Sequence, residues 1–173
     1  VVGNIVGKTG LAAISNASMI SFIINSLCIG FTMGGSVLIA QYKGANDKQG
    51  QIETTGTLLG ISLITSFIVT LIASFVYEPI FQILDVPVSS MQDACEYMKI
   101  ICYGTVFVFG YNAVCSIMKG FGNSKAPLYF IAIATIVNII LDLIFVGIFN
   151  MGTIGAAYAT VISQAASLII SVF

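Results

Sequence analysis

The sequence contains no histidine and no arginine, and it is poor in charge of either sign. Six lysines and seven acidic residues are spread over 173 positions. Without an imidazole there is no H-E-x-x-H zinc site and no Ser-His triad, and G-x-S-x-G is missing as well. With a net charge of −1 and no basic patch, the chain cannot displace counterions from phosphates, which excludes nucleic acid as a main partner. The charged fraction is 8 %, against about 25 % in soluble domains. So few charges could not cover a soluble globule of this length, and disorder would need the opposite balance of charge and hydrophobicity. The four cysteines, Cys28, Cys95, Cys102 and Cys115, form no C-x-x-C pair. They fall in or near apolar runs, where a small side chain packs well.

What is present in excess is apolar sequence: 58 % of residues are hydrophobic and the mean hydropathy is +1.05. The charges delimit it. Lys8 to Lys43 encloses 34 uncharged residues, Glu53 to Glu78 encloses 24, Lys99 to Lys119 encloses 19 and Lys125 to Asp142 encloses 16. No charge follows Asp142. About 20 mostly apolar residues cross the hydrocarbon core as a helix. The runs at 61–76 and 131–141 do not alternate as barrel strands would. The pattern therefore predicts an all-α polytopic membrane protein. Five spans are expected at Leu11–Ala40, Thr55–Tyr77, Met91–Met118, Pro127–Phe149 and Thr153–Phe173, with Val1–Gly7 as the end of an earlier helix. The chain starts without Met and stops inside an apolar run, so it is read as incomplete at both ends.

Between the spans, Gln41–Gln51 reads as a polar loop. Pro79 and Pro87 are expected to end one helix and delay the next. Ser90 with Asp93 resembles a capping box, with Asp93 and Glu96 at the positive helix end. Gly120, Gly122 and Asn123 suit a helix stop, Ser124 with Pro127 a start, and Phe149–Gly152 a tight turn. The loops at 41–53 and 119–126 carry Lys43, Lys48, Lys119 and Lys125, while the other side has Lys8 and Lys99 among four acidic residues. Positive residues stay in the cytoplasm, so both lysine-bearing loops are expected there. Tyr42, Tyr77, Tyr97 and Tyr129 fit interfacial belts. Gly30/Gly34 and Gly56/Gly60 are G-x-x-x-G pairs, and with Gly155-Ala156-Ala157 they read as close helix contacts. Gly3 to Thr9 superficially resembles a phosphate-binding loop, but only three residues separate its glycines and no α/β pattern surrounds it.

Asp142 carries the functional signal. It is the only charge in the last 48 residues, and from a start near Pro127 it lies roughly 22 Å along its helix. A carboxylate at such depth costs about 2.5–3.5 kcal/mol on insertion scales and marks an ion or proton pathway by default. The alternative is an Asp that ties two helices together. Asn138 lies one turn earlier on the same face and Thr135 another turn back, an oxygen-rich stripe suited to H⁺ or a hard cation such as Na⁺. Asn112 in the preceding span and Thr160, Ser163 and Gln164 in the next are candidates to line the same cavity, or to hydrogen-bond between helices.

The pieces Val2–Gly7 with Leu11–Ala13, Ile39–Ala45, Tyr111-Asn112, Lys119–Leu128, Asn138–Asp142 and Gly155–Gln164 occur together across essentially the whole chain. In order and spacing they resemble the multidrug and toxic compound extrusion (MATE) family, bacterial branch. The resemblance implies a twelve-helix, two-lobe transporter of the cell (inner) membrane. Residues 1–173 would be its N-terminal six-helix lobe, with the C-terminal lobe missing. It implies no enzymatic activity and no cofactor, but export of organic, often cationic, small-molecule drugs in exchange for H⁺ or Na⁺. In that family the cation site would fall on Asp142, Asn138 and Thr160, and a fourth-helix Asn on Asn112. Asp142 and Asn138 would be the Na⁺ ligands if sodium is used, while Thr135 and Gln164 remain cavity-lining candidates. The family's first-helix acidic residue would lie before Val1. A lipid-linked oligosaccharide flippase of the same superfamily and a non-transporting membrane scaffold are the alternatives. No Lys lies centrally in a span to meet a pyrophosphate, which argues against the flippase.

Overall fold

The structure, a computed structural model, describes residues 2–172, with side chains from residue 6 to residue 172. Five long helices follow one another: α1 (Val2–Gly44), α2 (Lys48–Ile83), α3 (Val88–Gly120), α4 (Ala126–Asp142) and α5 (Gly152–Val172). A π-helical turn, Leu143–Ile148, continues α4. Among the described residues there are five helices long and apolar enough to cross a membrane. A bilayer offers the backbone no partners, so each segment must satisfy its own N–H and C=O groups, which a helix does. The chain is therefore an all-α multi-pass membrane protein.

The expected earlier helix end is visible as a break in α1. Gly7 has φ +79°, a left-handed conformation that glycine adopts without a Cβ clash. The segment resembling a phosphate-binding loop is thus a helix joint. Val1 and Phe173 lie outside the described residues.

Helix ends differ from the sequence reading in four places. Residues 41–51 are mostly helical: α1 runs to Gly44 and α2 starts at Lys48, capped where Gly50 N–H donates to Asp47 Oδ1 at 3.0 Å. Polar residues end a membrane span without ending a helix, because water satisfies the side chains while the backbone ladder continues. Pro79 lies inside α2, which runs on to Ile83; a proline removes one backbone bond and need not stop a helix held by its neighbours. No capping box forms at Ser90. Pro87, in an extended conformation, precedes the first turn of α3, and Ser90 N–H donates to the Pro87 carbonyl. Lys125, rather than Ser124, stands at the N-cap of α4 without a side-chain cap bond; Asn123 Oδ1 accepts from Ala126 N–H at 3.2 Å, and Pro127 lies in the first turn as expected. The turn at 149–152 is present, with Asn150 and Gly152 at positive φ.

Helix α3 is the central pillar, packed on α1, α5 and α2, while α4 leans chiefly on α5. The core lies where α1, α2, α3 and α5 meet, around Ala17, Cys28, Phe81, Met98, Phe109 and Ala157. Cys28, Cys102 and Cys115 are buried packing residues. Close approach occurs at glycines other than the G-x-x-x-G pairs. A Cβ on Gly104 would stand 2.5 Å from Val161 Cγ2, and one on Gly120 would stand 2.8 Å from the Ser36 carbonyl. Gly155 is similarly tight against the Phe145 backbone. Gly30, Gly34, Gly56 and Gly60 have nothing within 4 Å and face outward, so they mediate no contact within this chain. The Lys43 ammonium donates to the Phe121 carbonyl, which puts the 41–53 and 119–126 segments at the same end of the bundle.

Candidate functional site

Two cavities open among α1, α3, α4 and α5. The larger, about 540 Å³, mixes apolar side chains such as Phe22 and Ile101 with polar ones. Asn25 and Asn112 face each other across it, with Asn112 Nδ2 at 3.5 Å from Asn25 Oδ1 and donating also to the Val108 carbonyl at 2.8 Å. Thr160 and Gln164 enter from α5, Tyr97 and Tyr111 from α3. The smaller cavity, about 220 Å³, lies between α4 and α5 and contains Thr135, Asn138, Thr160 and Gln164, with Ser163 and Ser167. Tyr111, Ile131, Thr160 and Gln164 line both.

The helical periods explain this convergence. On α4, Thr135, Asn138 and Asp142 are spaced three and four residues apart, and on α5 so are Thr160, Ser163, Gln164 and Ser167, so each set forms one stripe. The Tyr111 hydroxyl, 3.4 Å from the Pro127 carbonyl, joins α3 to the first turn of α4 below the cavities. The structure therefore brings Asn112, Thr135, Asn138, Thr160 and Gln164 onto cavity walls, as the sequence suggested.

Asp142 lines neither cavity wall. It sits half-buried at the last turn of α4, immediately before the π-helical turn, and its Oδ1 is buried without a hydrogen-bond partner. A tie between helices would show a donor there; instead an acceptor is left waiting, which in a membrane interior is costly. Tyr97 lines the larger cavity, as Thr160 does. It is 7 % exposed, so its ring packs inside the bundle rather than outward from it. Tyr129, 67 % exposed, keeps the peripheral place expected of it.

Three features were missed in the sequence. Asn25 was signalled as one of few amides in the first long apolar run. Tyr97 was read as a belt aromatic, with no sign that its ring would line a cavity. The π-helical turn has no signal, because Leu143–Ile148 reads as an ordinary apolar helix. Among the described residues, no cluster of three His, Cys, Asp or Glu side chains exists. A cation at this site would meet one carboxylate and otherwise neutral oxygens, a set that suits H⁺ or a weakly held hard ion and not a transition metal.

The described residues thus form a polar, chambered helical bundle with a half-buried carboxylate, Asp142, near the end of α4. The MatE family profile matches residues 1–144, and the chain belongs to this family of multidrug efflux transporters. It is 31 % identical over 174 residues to the probable multidrug resistance protein YpnP of Bacillus subtilis, covering 99 % of this chain and 39 % of that protein. The probable multidrug resistance protein NorM of Thermotoga maritima is 27 % identical over 161 residues, covering 89 % of this chain and 34 % of NorM. Among solved structures, a MATE crystal structure in the bent conformation superposes with TM-score 0.95 at 26 % identity, over 98 % of this chain and 38 % of that one. An inward-facing multidrug resistance MATE transporter of the MOP superfamily superposes at 0.91 with 26 % identity, over 95 % of this chain and 37 % of that one. The chain thus spans less than two fifths of the length of these relatives.

Proposed function

We propose that this chain is the N-terminal lobe of an antiporter that exports organic, often cationic, drugs in exchange for H⁺ or Na⁺. The observation that carries this reading is the buried, unpartnered oxygen of Asp142 in a lobe that also holds a drug-sized cavity. In the proposed cycle Asp142 alternates between neutral and ionised or cation-bound forms. Asn138 and Thr160 supply neutral oxygens to the cation. Tyr97 and Thr160 share the wall of the larger cavity. The cation and the drug favour different arrangements of the lobe, and this difference in affinity is the coupling. The cavity's volume falls in the range of small-molecule sites, and its blend of aromatic, aliphatic and amide groups suits an amphiphilic organic molecule. The protein would lie in the inner cell membrane with the loops at 41–53 and 119–126 in the cytoplasm. No lysine lines either cavity, which disfavours a pyrophosphate-bearing lipid as cargo.

The test is efflux of a fluorescent cationic dye from pump-deficient bacteria expressing the full-length protein, with Asp142→Asn and Asp142→Glu at matched membrane levels, with and without Na⁺. The expected result is export by wild type, loss in Asp142→Asn and partial recovery in Asp142→Glu, with the Na⁺ dependence naming the ion. Undiminished export by Asp142→Asn would overturn the proposal.

A further inference from the structure

The two ends of the bundle carry opposite charge. Successive helices run in alternate directions, so one end gathers the α1–α2 corner and the α3–α4 corner, and the Lys43–Phe121 bond ties the two together. That end holds Lys43, Lys48, Lys119 and Lys125 against Asp47 and Glu53, four positive charges against two. The other end holds Lys8 and Lys99 against Glu78, Asp85, Asp93 and Glu96, two against four. On the lysine end both acids belong to the α1–α2 corner and are occupied there. Asp47 accepts from Gly50 N–H, and Glu53 accepts from the Gln49 amide. The α3–α4 corner, Lys119–Lys125, contains no acidic residue. Three lysines surround it. Lys119 stands in the last turn of α3 and Lys125 at the N-cap of α4, both exposed. Lys43 reaches across from α1 to the Phe121 carbonyl and lies against Gly122.

An apolar strip starts at the same corner. Lys125 already has helical φ and ψ, so the register of α4 begins with it. Leu128, Ile136 and Ile140 follow at helical spacing on the face that Lys125 opens, and all three are exposed. From Lys125 to Ile140 the strip is about 22 Å long, more than the depth of one leaflet of a hydrocarbon core about 30 Å thick. Tyr129, also exposed, stands next to Leu128 and is the kind of side chain that rests at headgroup level. Clustered lysines at a membrane surface attract anionic headgroups. A soluble anion would use the lysines alone, whereas a phospholipid would use both the lysines and the strip below them.

We propose that the α3–α4 corner is a docking site for an anionic phospholipid. Its phosphate sits among Lys43, Lys119 and Lys125, and an acyl chain runs down the outer face of α4. The helix so engaged is the one that ends in Asp142.

Native mass spectrometry of the full-length protein tests this, with phosphatidylglycerol and phosphatidylethanolamine of identical chains titrated separately. Phosphatidylglycerol is expected to bind about ten-fold tighter. Lys119→Gln and Lys125→Gln should each weaken it by about five-fold, while Lys125→Arg keeps wild-type binding. Lys99→Gln, at the opposite end, should leave it unchanged. Both corner lysines are exposed, so the variants are expected to keep the wild-type melting temperature. Glycerophosphoglycerol, the same headgroup without chains, should compete only weakly. Equal affinity for the two lipids, or undiminished phosphatidylglycerol binding by the double variant Lys119→Gln/Lys125→Gln, overturns the site. Full displacement by glycerophosphoglycerol or inorganic phosphate overturns the lipid as its occupant. The readout involves neither drug nor ion gradient, so it stands or falls apart from the exchange reading.

Discussion

Helices α3 and α4 are neighbours in sequence and opposites in packing. Thirteen residues of α3 are buried, from Ser90 to Gly120, whereas in α4 the structure buries Pro127 alone. Helix α3 approaches α5 closely through Gly104 and Gly110, against Val161 and Leu168, and α1 through Gly120, against the Ser36 carbonyl. Helix α4 presents Leu128, Ile136 and Ile140 outward and ends in a π-helical turn. Yet the one intramembrane carboxylate stands on α4. The carboxylate proposed to change charge sits on the sparsely buried element, while α3 supplies Tyr97, Tyr111 and Asn112 to the cavity wall. Such a division lets a charge change at Asp142 shift α4 without disrupting the core, since segments that move are drawn from the weakly packed end of a structure. π-helical turns recur at functional sites, and this one begins at the residue after Asp142.

The contrast can be broken by substitution. The largest effect on folding is expected from Phe109→Ala, at a side chain 1 % exposed in α3. Loss of its contacts should cost about 3–5 kcal/mol, read as a fall in thermal stability in detergent. Ile136→Ala on α4, 58 % exposed, should change stability by less than about 0.5 kcal/mol. Equal costs at the two positions would erase the distinction between the helices. Next comes Gly104→Ala, whose Cβ would meet Val161 Cγ2 at 2.5 Å. Overpacking should cost about 1–3 kcal/mol, and a double variant with Val161→Ala should recover most of it. Gly30→Ala, with open space around it, should be neutral or slightly stabilising, measured in the same way. Outside the membrane, Asp47→Ala removes the N-cap of α2. It should cost about 1 kcal/mol, visible as faster hydrogen exchange at Lys48–Gln51.

Much of this architecture was legible in the charges. The uncharged intervals gave five spans because a bilayer penalises each buried charge individually. The helix ends were less legible. Gln41, Lys48 and Pro79 mark where a span leaves the apolar region or weakens, which is a different event from the end of a hydrogen-bonded ladder. The G-x-x-x-G pairs advertised a flat helix face without saying what would cover it, and here nothing in the chain does. At the site, Asp142 stood out by its isolated charge, and Asn138 and Thr135 followed from helical period. Thr160 and Gln164 were polar residues of the next span, and only the family resemblance set Thr160 in the cation group. The place of Tyr97 on the wall of the larger cavity was not legible, because an aromatic that lines a cavity and one that faces lipid read alike in sequence. The π-helical turn after Asp142 sets its Phe145 backbone close to Gly155 and buries Val146, a register that no local residue type announces.

The central claim is that Asp142 couples cation flow to drug movement from a loosely packed helix. It is tested most directly in proteoliposomes of the full-length protein, by loading a drug against its gradient with an imposed H⁺ or Na⁺ gradient. The account predicts that wild type accumulates the drug, while Asp142→Asn lets it equilibrate and accumulates about a hundred-fold less. Accumulation by Asp142→Asn at the wild-type level would contradict it.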